Sequence, residues 1–218
     1  MRHKFIAKSA LTIFVVAFFV ACSAKQDDGL YGLSPDAWYE QILEDIKSSD
    51  LENADKHYTS FSSEHVRSPL LEQMLLILAQ AHARNEEYIL ANYYLDEYIK
   101  KYGDGGSKTE FAEFLKIKAN FDSFTQPDRN QKLIEDSIAG IERFIYMYPN
   151  TQFRPLIETM LVKFKLANYF LQEQIKSLYE RTGREISADI YTQRLENSPM
   201  KDADMIAPDL PWYRKIFE

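Results

Sequence analysis

Residues 68–103 read SPLLEQMLLILAQAHARNEEYILANYYLDEYIKKYG, and this stretch decides the fold. Leu70, Leu71, Met74, Leu75, Leu78 and Ala81 recur at the three- and four-residue spacing of one broad helical stripe, wide enough to be buried on two sides. Ser68-Pro69 opens that helix, and the polar triplet Arg84-Asn85-Glu86 interrupts it. The pattern then resumes with Tyr88, Ala91, Leu95, Tyr98 and Tyr102 and stops at Gly103. Two apolar helices joined by three polar residues must fold back on each other, because neither can bury its stripe alone.

The same unit continues on both sides. Upstream, Ser34 caps a helix that starts with Pro35 and Asp36 and carries Trp38, Ile42 and Ile46 on one face. After Ser48-Ser49-Asp50, a second helix presents Ala54, Tyr58 and Phe61. Downstream, Ser107-Lys108-Thr109-Glu110 has the spacing of a capping box and predicts a helix bearing Phe111, Phe114, Leu115 and Phe121. After the interruption DSFTQPDRNQ at 122–131, Ile134, Ile138, Ile141, Ile145 and Tyr148 form a further stripe, which Pro149 ends. The stretch from Thr151 to Arg181 is helical in pattern, with Pro155 tolerable in its first turn. A break near Asn168-Tyr169 is expected to divide it, and Gly183 separates it from a last helix over 185–196. No alternating β-branched run lies between turn signals, so no strand is expected.

Antiparallel helix pairs with short turns, and small residues where helices approach, make the pattern of a tetratricopeptide array. The fold class expected is all-α, a tetratricopeptide-like α-solenoid of about four to five helix pairs. The repeat is degenerate: Ala54 to Ala91 is 37 residues against the ~34 of an ideal repeat.

Ahead of the array stands an address. Arg2, Lys4 and Lys8 precede an apolar run ending at Ala21, too short for a comfortable bilayer span, which needs ~20 apolar residues. Phe19-Val20-Ala21-Cys22 resembles a bacterial lipobox, and Cys22 is the only cysteine of the 218 residues. The organisation expected is a lipoprotein signal peptide over 1–21, a lipid-anchored tether over 22–33, a repeat domain over 34–196 and a Pro-containing tail over 197–218. Cleavage removes three positive charges and takes the formal net charge from −7 to −10. With no basic excess to neutralise phosphates, nucleic acid is not an expected partner.

Signs of catalysis are weak. His57, His65 and His82 contain no pair at the i, i+4 spacing of helical metal ligands, and Gly103-Asp104-Gly105-Gly106 lacks the Lys-Ser or Lys-Thr of a phosphate loop. No metal, cofactor or catalytic residue is assigned.

The order of Tyr31, Ser34-Pro35, Tyr39, Asp128-Arg129, Phe144-Ile145, Tyr148-Pro149-Asn150-Thr151-Gln152, Leu166-Ala167, Tyr179 and Gln193-Arg194-Leu195-Glu196, behind a lipobox, resembles the BamD/ComL family. That family is the tetratricopeptide lipoprotein of the outer-membrane β-barrel assembly machine. The chain departs from it in having about four and a half helix pairs rather than five, and in the segment Glu180-Arg181-Thr182-Gly183-Arg184. The resemblance implies a non-enzymatic scaffold at the periplasmic face of the outer membrane, anchored by lipid on Cys22. Its implied partners are the periplasmic domain of BamA, other subunits of the complex and unfolded β-barrel precursors. Alternative readings are a tetratricopeptide lipoprotein of another envelope machine, such as a pilus or secretion pilotin, and a peptidoglycan-acting enzyme or its regulator.

Two sets of residues are candidates for contact. Arg181, Arg184 and Arg194 stand out in an acidic domain and suit a partner-facing patch. Tyr39, Tyr58, Tyr88 and Tyr94 are expected to contribute to a substrate groove, although most rings of the stripe Tyr88, Tyr94, Tyr98 and Tyr102 suit packing between repeats.

Overall fold

The computed structural model describes residues 30–124 and 131–203. Cys22 and its lipobox, Asp128-Arg129 and the end of the tail with Trp212 and Tyr213 lie outside the described residues. Among the described residues there are eight helices and no strand: α1 (Pro35–Lys47), α2 (Leu51–Glu64), α3 (Leu70–Arg84), α4 (Tyr88–Tyr102), α5 (Ser107–Asp122), α6 (Gln131–Met147), α7 (Arg154–Arg181) and α8 (Glu185–Glu196). Each packs on the next, and the first helices of successive pairs also meet, α1 with α3 and α5 with α7. The molecule is the tetratricopeptide-like all-helical solenoid that the spacing predicts.

Local chemistry sets the boundaries. The Ser34 hydroxyl accepts from the Ala37 amide at 3.2 Å, with Pro35 behind it. Asp50 caps α2 by accepting from Asn53 N at 3.3 Å. The turns before α2 and α4 place Ser49 and Glu86 at φ of 61° and 62°, a left-handed conformation that reverses the chain in very few residues. Gly103 ends α4 because a Cβ there would stand 2.3 Å from the Ile99 carbonyl oxygen. At the end of α7, Gly183 adopts φ 68° and Arg184 N donates to Tyr179 O at 2.9 Å, the closed end that a left-handed glycine permits.

Two expectations are corrected. The α5 start is not a Ser107–Glu110 capping box. Ser107 is already helical, and the Asp104 carboxylate accepts from the amides of Gly106, Lys108 and Thr109 instead. A carboxylate three residues further upstream satisfies the free amides and also meets the positive end of the helix. Nor does α7 break at Asn168-Tyr169: it is continuous over 28 residues. Phe164, Ala167, Leu171 and Ile175 keep one unbroken stripe through that point, all packed in the same core. No proline or glycine follows Pro155 before the helix ends, so burial of the stripe outweighs the weak helix propensity of one Asn.

The core has two centres. Trp38, Ile42, Phe61, Met74, Leu75 and Leu78 lead the first, within α1 to α4. Ile134, Ile141, Phe144, Ile157 and Phe164 lead the second, within α5 to α7. Ala54, Ala91 and Ala112 are fully buried and let neighbouring helices approach closely. Between the centres, the Asn92 amide donates to Asn120 Oδ1 at 2.8 Å, linking α4 to α5.

Candidate partner-binding surfaces

The four tyrosines expected in a groove separate. Tyr58 and Tyr94 are core residues, 7% and 5% exposed, with ring centroids 5.8 Å apart in an edge-to-face contact. Three residues separate Tyr58 from Phe61 and Tyr94 from Ala91, and four separate Tyr58 from Ala54 and Tyr94 from Tyr98, all buried, which places both on the buried stripe and corrects their assignment to the groove. Burial pushes both phenols well above the usual tyrosine range, so they stay neutral. Tyr39 is half-buried against the first core, and Tyr88 is half-buried at the start of α4.

Tyr94 belongs to a polar cluster that sequence reasoning missed. Its hydroxyl donates to Asp55 at 2.6 Å, and its ring stacks on that of His82 with centroids 5.3 Å apart. His82, 1% exposed, reaches Asp55 through Nε2 at 2.9 Å and Glu87 through Nδ1 at 2.5 Å. Burial disfavours the charged imidazole, but the hydrogen bonds and charges of the two carboxylates outweigh it and hold the His82 pKa above its ordinary value. The cluster ties α2, α3 and α4 together. The other two histidines among the described residues are also partnered: His57 with Asp45, and His65 with the Leu33 carbonyl at 2.7 Å. Among the described residues no group of histidines, cysteines and carboxylates could hold a metal.

Two clefts of about 470 Å³ and 420 Å³ flank α3, and Gln80 and Arg84 line both. Neither Tyr39 nor Tyr88 lines these clefts beside α3. Leu43 and Ile46 of α1 face Ile77 and Ala81 across the first. Ala91, Leu95, Phe111 and Leu115 form the apolar walls of the second, with Lys118 and Asp122 beside them. Each volume falls in the ~300–1,000 Å³ range of ligand pockets. Aliphatic walls beside an amide and a guanidinium suit a polypeptide, whose side chains need apolar cover while its backbone needs donors and acceptors. Gln80 and Arg84, at i, i+4, share one face of α3, but Glu72, Gln73 and His82 are also polar, so the sequence does not single them out.

All three arginines are exposed, and none forms an ion pair among the described residues. Arg184 lies over the Tyr179 ring at 5.9 Å and Arg194 over Tyr191 at 5.0 Å, while the two tyrosine centroids are 5.7 Å apart. The result is a ladder of guanidinium, ring, ring and guanidinium across α7 and α8. Such cation–π contact holds the guanidinium groups near the rings without neutralising them. Arg181 ends α7 outside this ladder.

Comparison with known proteins gives a consistent answer. The model of the YfiO family, described as an outer membrane lipoprotein, matches residues 33–196. The outer membrane protein assembly factor BamD of Helicobacter pylori is 32% identical over 209 residues, covering 95% of this chain and 94% of that protein. The factor of the same name from Caulobacter vibrioides is 23% identical over 159 residues, covering 70% of this chain and 52% of its own length.

Proposed function

We propose, from the premise that this chain belongs to the YfiO family of outer membrane lipoproteins, that its helical array is a scaffold that grips other polypeptides. The chain acts in outer-membrane protein assembly and is associated with the outer membrane. The observation that carries this reading is the match along the entire helical array, 33–196, together with the near full-length match to an assembly factor.

The finer assignments extend that reading. The clefts flanking α3 hold segments of unfolded β-barrel precursors against Gln80 and Arg84. The ladder of Arg184 and Arg194 contacts an acidic surface of a BamA-type partner or of another subunit in the complex. Lipid on Cys22 fixes the domain to the periplasmic face of the outer membrane, through a tether over 22–33. The end of that tether is supported where Gly32 N donates to the Glu64 carboxylate at 3.2 Å and the same carboxylate accepts from Trp38 Nε1 at 2.8 Å.

Co-purification tests the reading. Affinity capture of the full chain from its native envelope should bring down the BamA-type barrel subunit in stoichiometric amount. Capture of the chain without that subunit would refute the assignment. Mass spectrometry of the mature protein should find a diacylated Cys22 at its N-terminus, and Cys22→Ala should abolish lipid processing.

A further inference from the structure

Between α5 and α6, backed by Phe164 of α7, lies a third and smaller cleft of about 180 Å³. Ile141, Phe144 and Phe164 line it, and all three are buried. Two small residues one turn apart on α6, Ser137 and Gly140, open it. A Cβ built on Gly140 would meet nothing within 4 Å. Ser137 is 7% exposed, lines the cleft, and its hydroxyl has no hydrogen-bond partner. Folded interiors rarely leave a buried hydroxyl unpaired, so this one marks a place for an incoming polar atom.

Size narrows the ligand. A dry cavity of ~150 Å³ takes benzene, whereas drug-sized molecules need ~300 Å³ or more. The cleft therefore fits one aromatic ring with one substituent. Phe144 and Phe164 offer the faces and edges against which rings pack best. The rim carries both signs, with Glu113 and Asp136 against Lys116 and Arg143, and Lys116 is already engaged by Asp96. A mixed rim favours neither an anion nor a cation and suits the neutral, dipolar backbone of a peptide.

From these features we infer that the cleft takes the side chain of a tyrosine presented by an extended polypeptide, the ring beside Phe144 and Phe164 and the hydroxyl bonded to Ser137 Oγ. Phenylalanine would fill the space and leave Ser137 unpaired. This inference rests on the reading that the array holds unfolded chains, and its test separates the two.

The probes are fluorescein-labelled peptides of the form Ser-Thr-Gln-Xaa-Gln-Thr-Ser with Tyr, Phe or Ala at the centre, and free p-cresol, each titrated against the full chain by fluorescence polarisation. The Tyr peptide is expected to bind at least about tenfold tighter than the Ala peptide and severalfold tighter than the Phe peptide. Ser137→Ala should bring Tyr down to the level of Phe and leave Phe unchanged. Gly140→Leu should weaken the Tyr peptide by about tenfold or more while holding or raising the melting temperature, since Leu is the better helix former. Equal binding of Tyr and Ala peptides overturns the inference, as does a Ser137→Ala variant that shifts both ring peptides alike. Competition by p-cresol as strong as that of the peptide would make this a free-phenol site and overturn the polypeptide assignment. Capture of an unfolded barrel precursor by the wild-type protein with no discrimination among the peptides would reject the cleft and leave the proposed function standing. Failure of the wild-type protein to capture any precursor would reject the function itself.

Discussion

Replacing His82 by Ala tests the polar cluster that joins the first two helix pairs. His82 is almost wholly buried and makes two charge-assisted contacts, to Asp55 at 2.9 Å and Glu87 at 2.5 Å. Such bonds contribute ~1.5–3 kcal/mol each. The Glu87 side chain is 39% exposed, so water can replace its partner and its share is discounted heavily. The Asp55 contact, together with the cavity left by the imidazole, sets the cost at about 3 kcal/mol. For a domain of this size that corresponds to a fall in melting temperature of about 6–12 °C.

The pH dependence carries more information than the shift itself. Because the folded pKa of His82 is raised, its charge-linked stabilisation is complete below the unfolded value of about 6.5 and is lost as pH rises through the higher folded pKa. Urea titrations of wild type and His82→Ala at intervals from pH 5.5 to 9 should therefore show the largest stability gap at the acid end. At the alkaline end the gap should narrow to the packing contribution alone. Asp55→Asn should flatten the same dependence while keeping an acceptor for Tyr94. A gap that is constant with pH, or that widens toward alkali, would refute the paired imidazolium.

Three further outcomes are expected. Arg194→Glu should weaken capture of a BamA-type partner and leave helicity by circular dichroism unchanged, because the side chain is exposed and stacks only on Tyr191; full retention at physiological salt would place the docking surface elsewhere. Ala91→Trp should cost about 1–3 kcal/mol by overpacking a fully buried position, read as a lower denaturation midpoint. Gly103→Ala should lower the melting temperature although alanine favours helices, since its methyl would collide with the Ile99 carbonyl; an unchanged or higher value would contradict that contact.

Periodicity reports which residues face a neighbour, and it served well wherever a helix has one buried side. Trp38 and Ile42, Ala54 and Phe61, and Leu71, Met74, Leu75 and Leu78 are buried as their spacing predicts. It cannot tell a ring that packs inward from one that offers itself to a ligand. Tyr58 and Tyr94 share the stripe of the core residues, and the partner that holds Tyr94 inward, Asp55, is 39 positions away in sequence. Non-local hydrogen bonds leave no periodic trace, so the His82 cluster was invisible. The clefts beside α3 are hard to read for a different reason: their walls are ordinary apolar side chains whose exposure depends on how the neighbouring helices stand apart. Asn168 looks like a breaker locally, whereas the buried residues on either side jointly decide the continuity of α7.

An unbroken α7 has a mechanical meaning. At 1.5 Å per residue its 28 residues make a rod of ~42 Å. One end is clamped in the second core through Ile157, Met160 and Phe164, and the other carries Tyr179 and Arg181 and supports α8. With no glycine, proline or turn after Pro155, the helix has no joint between the arginine ladder and the second core. Ile175 and Leu171 of the same core lie between the ladder and Phe164, which also lines the small cleft beside Ser137. The terminal helices are thus joined to the second core by a single continuous shaft.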